Sequence, residues 1–172
     1  MKTFPSKFTS FLGVIIFVSL LLSCAGQQKI QQESLQKKQL NKWMQDSTFQ
    51  IEHRWMNPLR GQQISLIGNP NFIKIYGDQV EVFLPYFGVR QFGGDYGTAS
   101  GIEFEGVPEN LEIIKNNEEE YTINFKTSAK TEHYQFKITI YPNHNVHTHV
   151  TTSQRDNISY DGTISGTDEK EE

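Results

Sequence analysis

The chain has 172 residues, the length of one domain with short additions, and its 36% hydrophobic and 21% charged residues are those of a folded globular protein. Sixteen Lys and Arg stand against 20 Asp and Glu, a net charge of −4, so no basic surplus is present to neutralise a phosphate backbone and nucleic-acid binding is disfavoured. A single cysteine forms neither an internal disulfide nor a thiolate metal cluster.

The first 23 residues read as a secretory leader. Lys2 and Lys7 precede an apolar run from Phe11 to Leu22, too short for the ~20 residues of a comfortable bilayer span but suited to a signal h-region. Leu21-Leu22-Ser23-Cys24 resembles the bacterial lipobox, in which the thiol is acylated and the preceding bond is cut. Cys24 is therefore the expected lipidation site, and the acyl chains would make membrane anchoring effectively permanent. Cleavage removes two lysines and leaves 14 basic against 20 acidic side chains, a net charge of −6. With no acidic pair beside the lipid, the expected address is the periplasmic face of the outer membrane.

Residues 24–46 read as a Gln, Lys and Glu-rich tether or helix, whose last turn carries Leu40, Trp43 and Met44 at helical spacing and docks on the domain. From Thr48 the period changes to two. Phe49, Ile51, His53 and Trp55 alternate with mostly polar residues, which predicts a half-buried strand ending at Pro58 and Gly61. Phe72 to Tyr76 and Gln79 to Leu84 flank Gly77-Asp78, a two-residue loop of type II′ or I′. Closing Tyr76 on Gln79 sets Ile75 opposite Val80 and Ile73 opposite Val82. Further strands are predicted at 102–104, 111–114, 121–125, 134–140, 146–150 and 158–160, and residues 166–172 form an acidic tail.

Eight or nine such strands, with no second helix between them, make an all-β protein joined by antiparallel hairpins. The expected fold of residues 47–165 is a small up-and-down, lipocalin-like barrel, with a β-sandwich as the alternative. Closure would remove exposed edges. A transmembrane barrel fits poorly, since the chain ends in Asp168-Glu169-Lys170-Glu171-Glu172.

Gly77-Asp78, Val82 to Gly88, Gly101-Ile102-Glu103-Phe104 and Arg155 to Gly162 form islands that resemble the family called domain of unknown function 4251, small lipoproteins of Bacteroides-type bacteria. Leu84-Pro85-Tyr86-Phe87-Gly88 is the most specific island, and the resemblance spans roughly residues 47 to 164. It implies a signal-bearing, β-rich chain with a lipocalin-like barrel. No activity is established for the family, so no catalytic residue is carried over. Val89-Arg90 departs from the small and basic residues that often follow the Phe-Gly.

His133, His144, His147 and His149 are the one metal-like group. If Ile138 and Ile140 point inward with Val146 and Val150, His144 falls in a three-residue turn, Lys137 lies opposite His149 and Thr139 opposite His147. An ammonium beside a ligand repels a cation and no carboxylate is placed to orient the rings, so a solvated histidine face without metal is expected. No cofactor is expected either. The glycines between Phe87 and Gly101 lack dinucleotide or P-loop spacing and read as a flexible connection at a barrel mouth. No Gly-x-Ser-x-Gly elbow or His-Glu-x-x-His is present, and Glu118-Glu119-Glu120 reads as a solvated turn, so no catalytic residue and no enzyme activity is expected.

Aromatic residues remain. Phe83, Phe87 and Phe92, with Arg90 and Tyr96, form a candidate contact surface, for which Leu40, Trp43 and Met44 are the nearest cover. Trp55 and Tyr86, at the ends of their strands, are candidates to line a pocket. The expected function is that of a non-enzymatic envelope lipoprotein binding a small apolar ligand or an envelope protein. The alternative is a structural or assembly protein with a side-chain-filled barrel.

Overall fold

The computed structural model of the protein describes residues 24–87, 101–116, 119–129 and 131–167. A helix, α1 (Cys24–Asp46), leads into ten strands: β1 (Thr48–Pro58), β2 (Ile64–Ser65), β3 (Phe72–Tyr76), β4 (Gln79–Leu84), β5 (Ile102–Gly106), β6 (Glu109–Lys115), β7 (Tyr121–Ala129), β8 (Glu132–Ile140), β9 (Asn145–Thr152) and β10 (Ile158–Ser165). All nine predicted strands are present, and the two-residue β2, paired to the end of β1, is the addition.

The strands form one antiparallel sheet in the order β5-β4-β3-β1-β10-β9-β8-β7-β6. Consecutive strands pair from β3 to β5 and from β6 to β10, and β1, which pairs with β3 on one side and β10 on the other, joins the two runs. The sheet curls into a half-barrel, so the up-and-down expectation holds and the sandwich alternative does not. Closure by hydrogen bonds stops between β5 and β6, which follow one another in the chain but do not pair. Backbone at positive φ at Gly106 (141°) and Asn110 (54°), with a register shift between Glu109 and Glu112, turns the chain out of the ladder there.

Alternation sets the core. Phe49, Ile51, Ile73, Ile75, Val80, Val82, Ile123, Phe125, Phe136, Ile138, Val146, Val150 and Tyr160 all point inward and are buried. The Phe125 and Phe136 rings stack at 4.5 Å, inside the curl. The first hairpin has the predicted register, with Ile75 opposite Val80 and Ile73 opposite Val82. Its turn places Gly77, and not Asp78, at positive φ (64°), as a type II′ turn requires.

Helix α1 ends where Ser47 adopts φ 48° and its carbonyl accepts a hydrogen bond from Gly77 N at 2.8 Å. Leu40, Trp43 and Met44 are buried, as predicted, but they seal the end of the half-barrel where β1 begins. Asn41 Oδ1 accepts from Tyr121 Oη at 2.6 Å, His144 Nε2 meets the Gln36 carbonyl at 2.9 Å, and the Trp43 ring lies 4.9 Å from that of His144. The helix therefore does not cover Phe83 and Phe87, which stay exposed on the outer face. Phe83 instead packs against Phe72, its cross-strand partner, at 5.8 Å, because the last turn of α1 is held at the far end of β4.

Candidate functional site

The outer face of β1, β10 and β9 carries the strongest constellation of side chains. It begins with a fault in the alternation. The β1–β10 register shifts between His53 and Trp55, so Arg54 is an extra residue on β1 and the parity of the strand inverts after it. His53 remains inside; Trp55, which strict alternation sends inward, faces outward and is 38% exposed, while Met56 takes the inward place. The expectation that Trp55 lines the interior is thus corrected. Opposite the bulge stands Gly162, where a Cβ would meet Glu52 O at 2.0 Å and His53 Cα at 2.6 Å. Only glycine permits so close an approach of the two backbones.

The pairing then sets Trp55 beside Asp161 and Asp161 beside His147. His147 Nδ1 donates to Asp161 Oδ1 at 2.6 Å, Asn57 Nδ2 donates to Asp161 Oδ2 at 2.7 Å, and Gln63 Nε2 donates to Asn57 Oδ1 at 2.9 Å. A carboxylate only accepts, so Nδ1 bears the proton. The expected register of Lys137 opposite His149 and Thr139 opposite His147 is observed. The expectation that no carboxylate orients these rings is corrected, because β10 supplies Asp161. Among the described residues no three His, Cys, Asp or Glu side chains are grouped to hold a metal.

Trp55, His147, Asp161 and Gly162 line a half-open cleft of about 550 Å³ together with Arg54, Tyr141, Asn145, Val146 and Thr163, while Asn57 and Gln63 buttress Asp161 from outside it. Its volume lies in the ordinary range of ligand sites, and its walls combine two aromatic side chains with fixed polar groups.

A second constellation closes the end of the half-barrel opposite α1. Arg155 Nε donates to Glu132 Oε1 at 2.8 Å and Oε2 at 2.9 Å, and Nη2 donates to Tyr134 Oη at 2.6 Å. The guanidinium lies 4.4 Å from the Tyr86 ring centroid. Tyr86 Oη donates to the Asp156 carbonyl at 2.9 Å, and Tyr160 Oη to the Pro85 carbonyl at 2.8 Å. Burial pushes the Tyr134 hydroxyl up to about 12, against the pull of the Arg155 charge, and raises Tyr86 and Tyr160 as well. Burial also works against the charge on Arg155, but its bonds to Glu132 and Tyr134 outweigh that and raise its pKa. Tyr86 is buried here, as the sequence predicts, but its hydroxyl is committed to the backbone and its ring to Arg155. The cluster ties together the connections at this end.

Inside, between the two ends, His53 is fully buried. Its Nε2 reaches over Gly162 to Thr148 Oγ1 at 2.9 Å, and burial holds its pKa down at about 4. Asn71 clamps the same residue from the backbone side, accepting from His53 N at 2.8 Å and donating to His53 O at 2.9 Å.

Of the sequence candidates, Phe83 and Phe87 share the outer face but lie on β4 and beyond it, away from the cleft. Arg90, Phe92 and Tyr96 lie outside the described residues, as do the leader before Cys24 and the tail from residue 168. Asp161, Asn57 and Gln63 were not candidates, nor were Glu132, Tyr134 and Arg155. Carrying the β8–β9 register across the next hairpin would have set Asp161 opposite His147, but the count depends on how residues 153–157 are spent.

A family model described as domain of unknown function (DUF4251) matches residues 31–164. The chain is similar in structure to a DUF4251 family protein from Bacteroides eggerthii DSM 20697, with a TM-score of 0.61 and 13% sequence identity over 79% of this chain and 91% of that one. At that identity the likeness concerns the fold. No curated protein matches the sequence.

Proposed function

This chain belongs to the DUF4251 family, and from that premise we propose that it is a lipid-anchored envelope protein acting as a non-enzymatic binding module through the outer cleft. The observation that carries the reading is the bulge at Arg54. It removes a tryptophan from the core and sets it beside the hydrogen-bonded row of His147, Asp161, Asn57 and Gln63. Fully burying a large apolar side chain stabilises a fold by roughly 1.5–3 kcal/mol, part of which Trp55, 38% exposed, forgoes. Bulges that re-aim a side chain are over-represented beside functional sites.

The inward residues support the filled-barrel form of the reading over an apolar ligand held inside, since Phe49, Phe125, Phe136 and Tyr160 occupy the curl. That the role is non-enzymatic is part of the proposal. Anchoring rests on Cys24 and the apolar run before it. Among the described residues no helix is long and apolar enough to cross a membrane.

The test is native mass spectrometry of the protein purified from its own envelope, with Trp55→Ala in parallel. A mass retained by the natural chain and lost from the variant is the expected result. A mass retained equally by both would move the site elsewhere. Acyl-probe labelling of the Cys24→Ala chain tests the anchor, and labelling that persists would refute it.

A further inference from the structure

We infer that the ligand of the outer cleft is a glycan, one pyranose ring of which packs on Trp55 while its hydroxyls bond the His147–Asp161 row; the inference rests on the binding role proposed above. Three features of the cleft select this chemistry. The first is the pairing of an exposed indole with polar groups already fixed in place. A pyranose has an apolar C–H face that stacks on an aromatic ring and hydroxyls at its edge that both donate and accept.

The second is the state of the polar row. Gln63, Asn57, Asp161 and His147 hold one another, so ordering them adds little cost when a ligand arrives. What they leave over is mixed. His147 Nε2 is a ring nitrogen with no bond inside the row, the second lone pairs of Asp161 accept, Arg54 donates, and Asn145 and Thr163, which also line the cleft, can do both. Adjacent hydroxyls complement such a mixture, whereas a phosphate or carboxylate offers acceptors alone and would meet the Asp161 charge.

The third is shape. The cleft is half-open and lies on the outer face of a sheet, so it cannot wrap an acyl chain as a lipid pocket does. It can hold one or two rings of a longer chain that runs off both sides. Arg54 disfavours cationic ligands as Asp161 disfavours anionic ones, which leaves a ligand neutral at the contact.

The experiment uses intrinsic fluorescence of the full chain in a non-glycosidic detergent, because an alkyl glycoside would itself compete. The two tryptophans differ in setting: Trp43 is buried where α1 meets the end of the sheet and Trp55 is exposed in the cleft, so a sugar on Trp55 shifts the exposed emission. The probes are chitotriose, cellotriose and maltotriose, with inorganic phosphate and phosphatidylglycerol vesicles as the other arms. Saturable shifts with at least one trisaccharide are expected, weakened at least tenfold in Trp55→Ala and in His147→Phe with thermal midpoints kept near that of the natural chain. Calorimetry reports binding for the variant that lacks the indole. If phosphate or vesicles bind in a Trp55-dependent way and the trisaccharides do not, the glycan inference falls and the cleft reading stands. If no probe binds, the glycan inference is overturned, and retention in the native mass spectra decides the cleft reading separately. Trisaccharide binding equal in both variants and the natural chain would overturn the assignment to this cleft.

Discussion

At the end where β1 begins, the half-barrel is sealed by the apolar side chains of α1, whereas at the opposite end it is sealed by an ion pair among tyrosines. Leu40, Trp43 and Met44 contribute through the apolar area they remove from water. Arg155 and Glu132, whose side chains are 8% and 4% exposed, have given up their hydration, and their bidentate pairing offsets that cost. The first kind of seal weakens gradually as contacts are removed. The second fails when one partner is lost, since the remaining charge stays buried.

The largest expected effect follows from that difference. Arg155→Ala leaves the Glu132 carboxylate buried with the Tyr134 hydroxyl, and should cost about 3–5 kcal/mol in urea unfolding. Arg155→Lys should rescue little, because an ammonium cannot bond both carboxylate oxygens and cover the Tyr86 ring. A loss under about 1 kcal/mol in Arg155→Ala would show that the end is held by something else. At the α1 end, Trp43→Ala should cost about 3 kcal/mol, the low side of the range for a large aromatic because its site lies at the rim and can partly collapse. It also strips the His144 ring of its partner, so exchange of the α1 amides should accelerate while the β7–β8 amides stay protected.

The two ends also differ in how far the sequence discloses them. The α1 seal was legible because Leu40, Trp43 and Met44 lie within one helical turn, and periodicity reports faces formed by near neighbours. The hairpin at Gly77 was legible for the same local reason. The seal of the opposite end joins Tyr86, the Glu132 and Tyr134 pair of β8, and Arg155 from three separate places, and no spacing rule connects the three. The cleft was hidden by a different cause. Alternation carried from Phe49 to His53 sends Trp55 inward, and one extra residue at Arg54 reverses it. The signal for that reversal is Gly162, more than a hundred residues away in sequence, whose missing Cβ makes room for the bulge.

Between the ends, His53 sharpens the comparison because it is a buried polar group kept neutral. Its folded pKa of about 4 lies below the ~6.5 of the unfolded chain, so between those values the unfolded chain binds a proton that the native state does not. Stability should therefore rise with pH from 4 to 6.5, be complete above 6.5, and be lost as pH falls, by at most about 3 kcal/mol. The urea midpoint of the natural chain should follow this curve, and His53→Gln should flatten it across the same window. An unchanged slope in the variant would assign the acid sensitivity to other groups.

The smallest effect belongs to an ion pair on the surface, which has the same pairing of a base with a glutamate and none of the burial. Lys37 on α1 and Glu119, in the turn before β7, are bonded, and each shifts the other in the direction of its charged form: hydrogen bonding to Glu119 raises Lys37, and hydrogen bonding to Lys37 lowers Glu119. Both groups are exposed to water, which screens the attraction, and holding two long side chains in one geometry has an entropic cost that offsets the rest. Lys37→Ala should therefore leave the thermal midpoint unchanged within error, at low salt and at high salt alike. A salt-dependent drop in the midpoint would mean that α1 is pinned to the sheet electrostatically. The expected null result, set beside the loss in Arg155→Ala, would instead show that burial, and not the presence of opposite charges, separates an ion pair the fold depends on from one it does not.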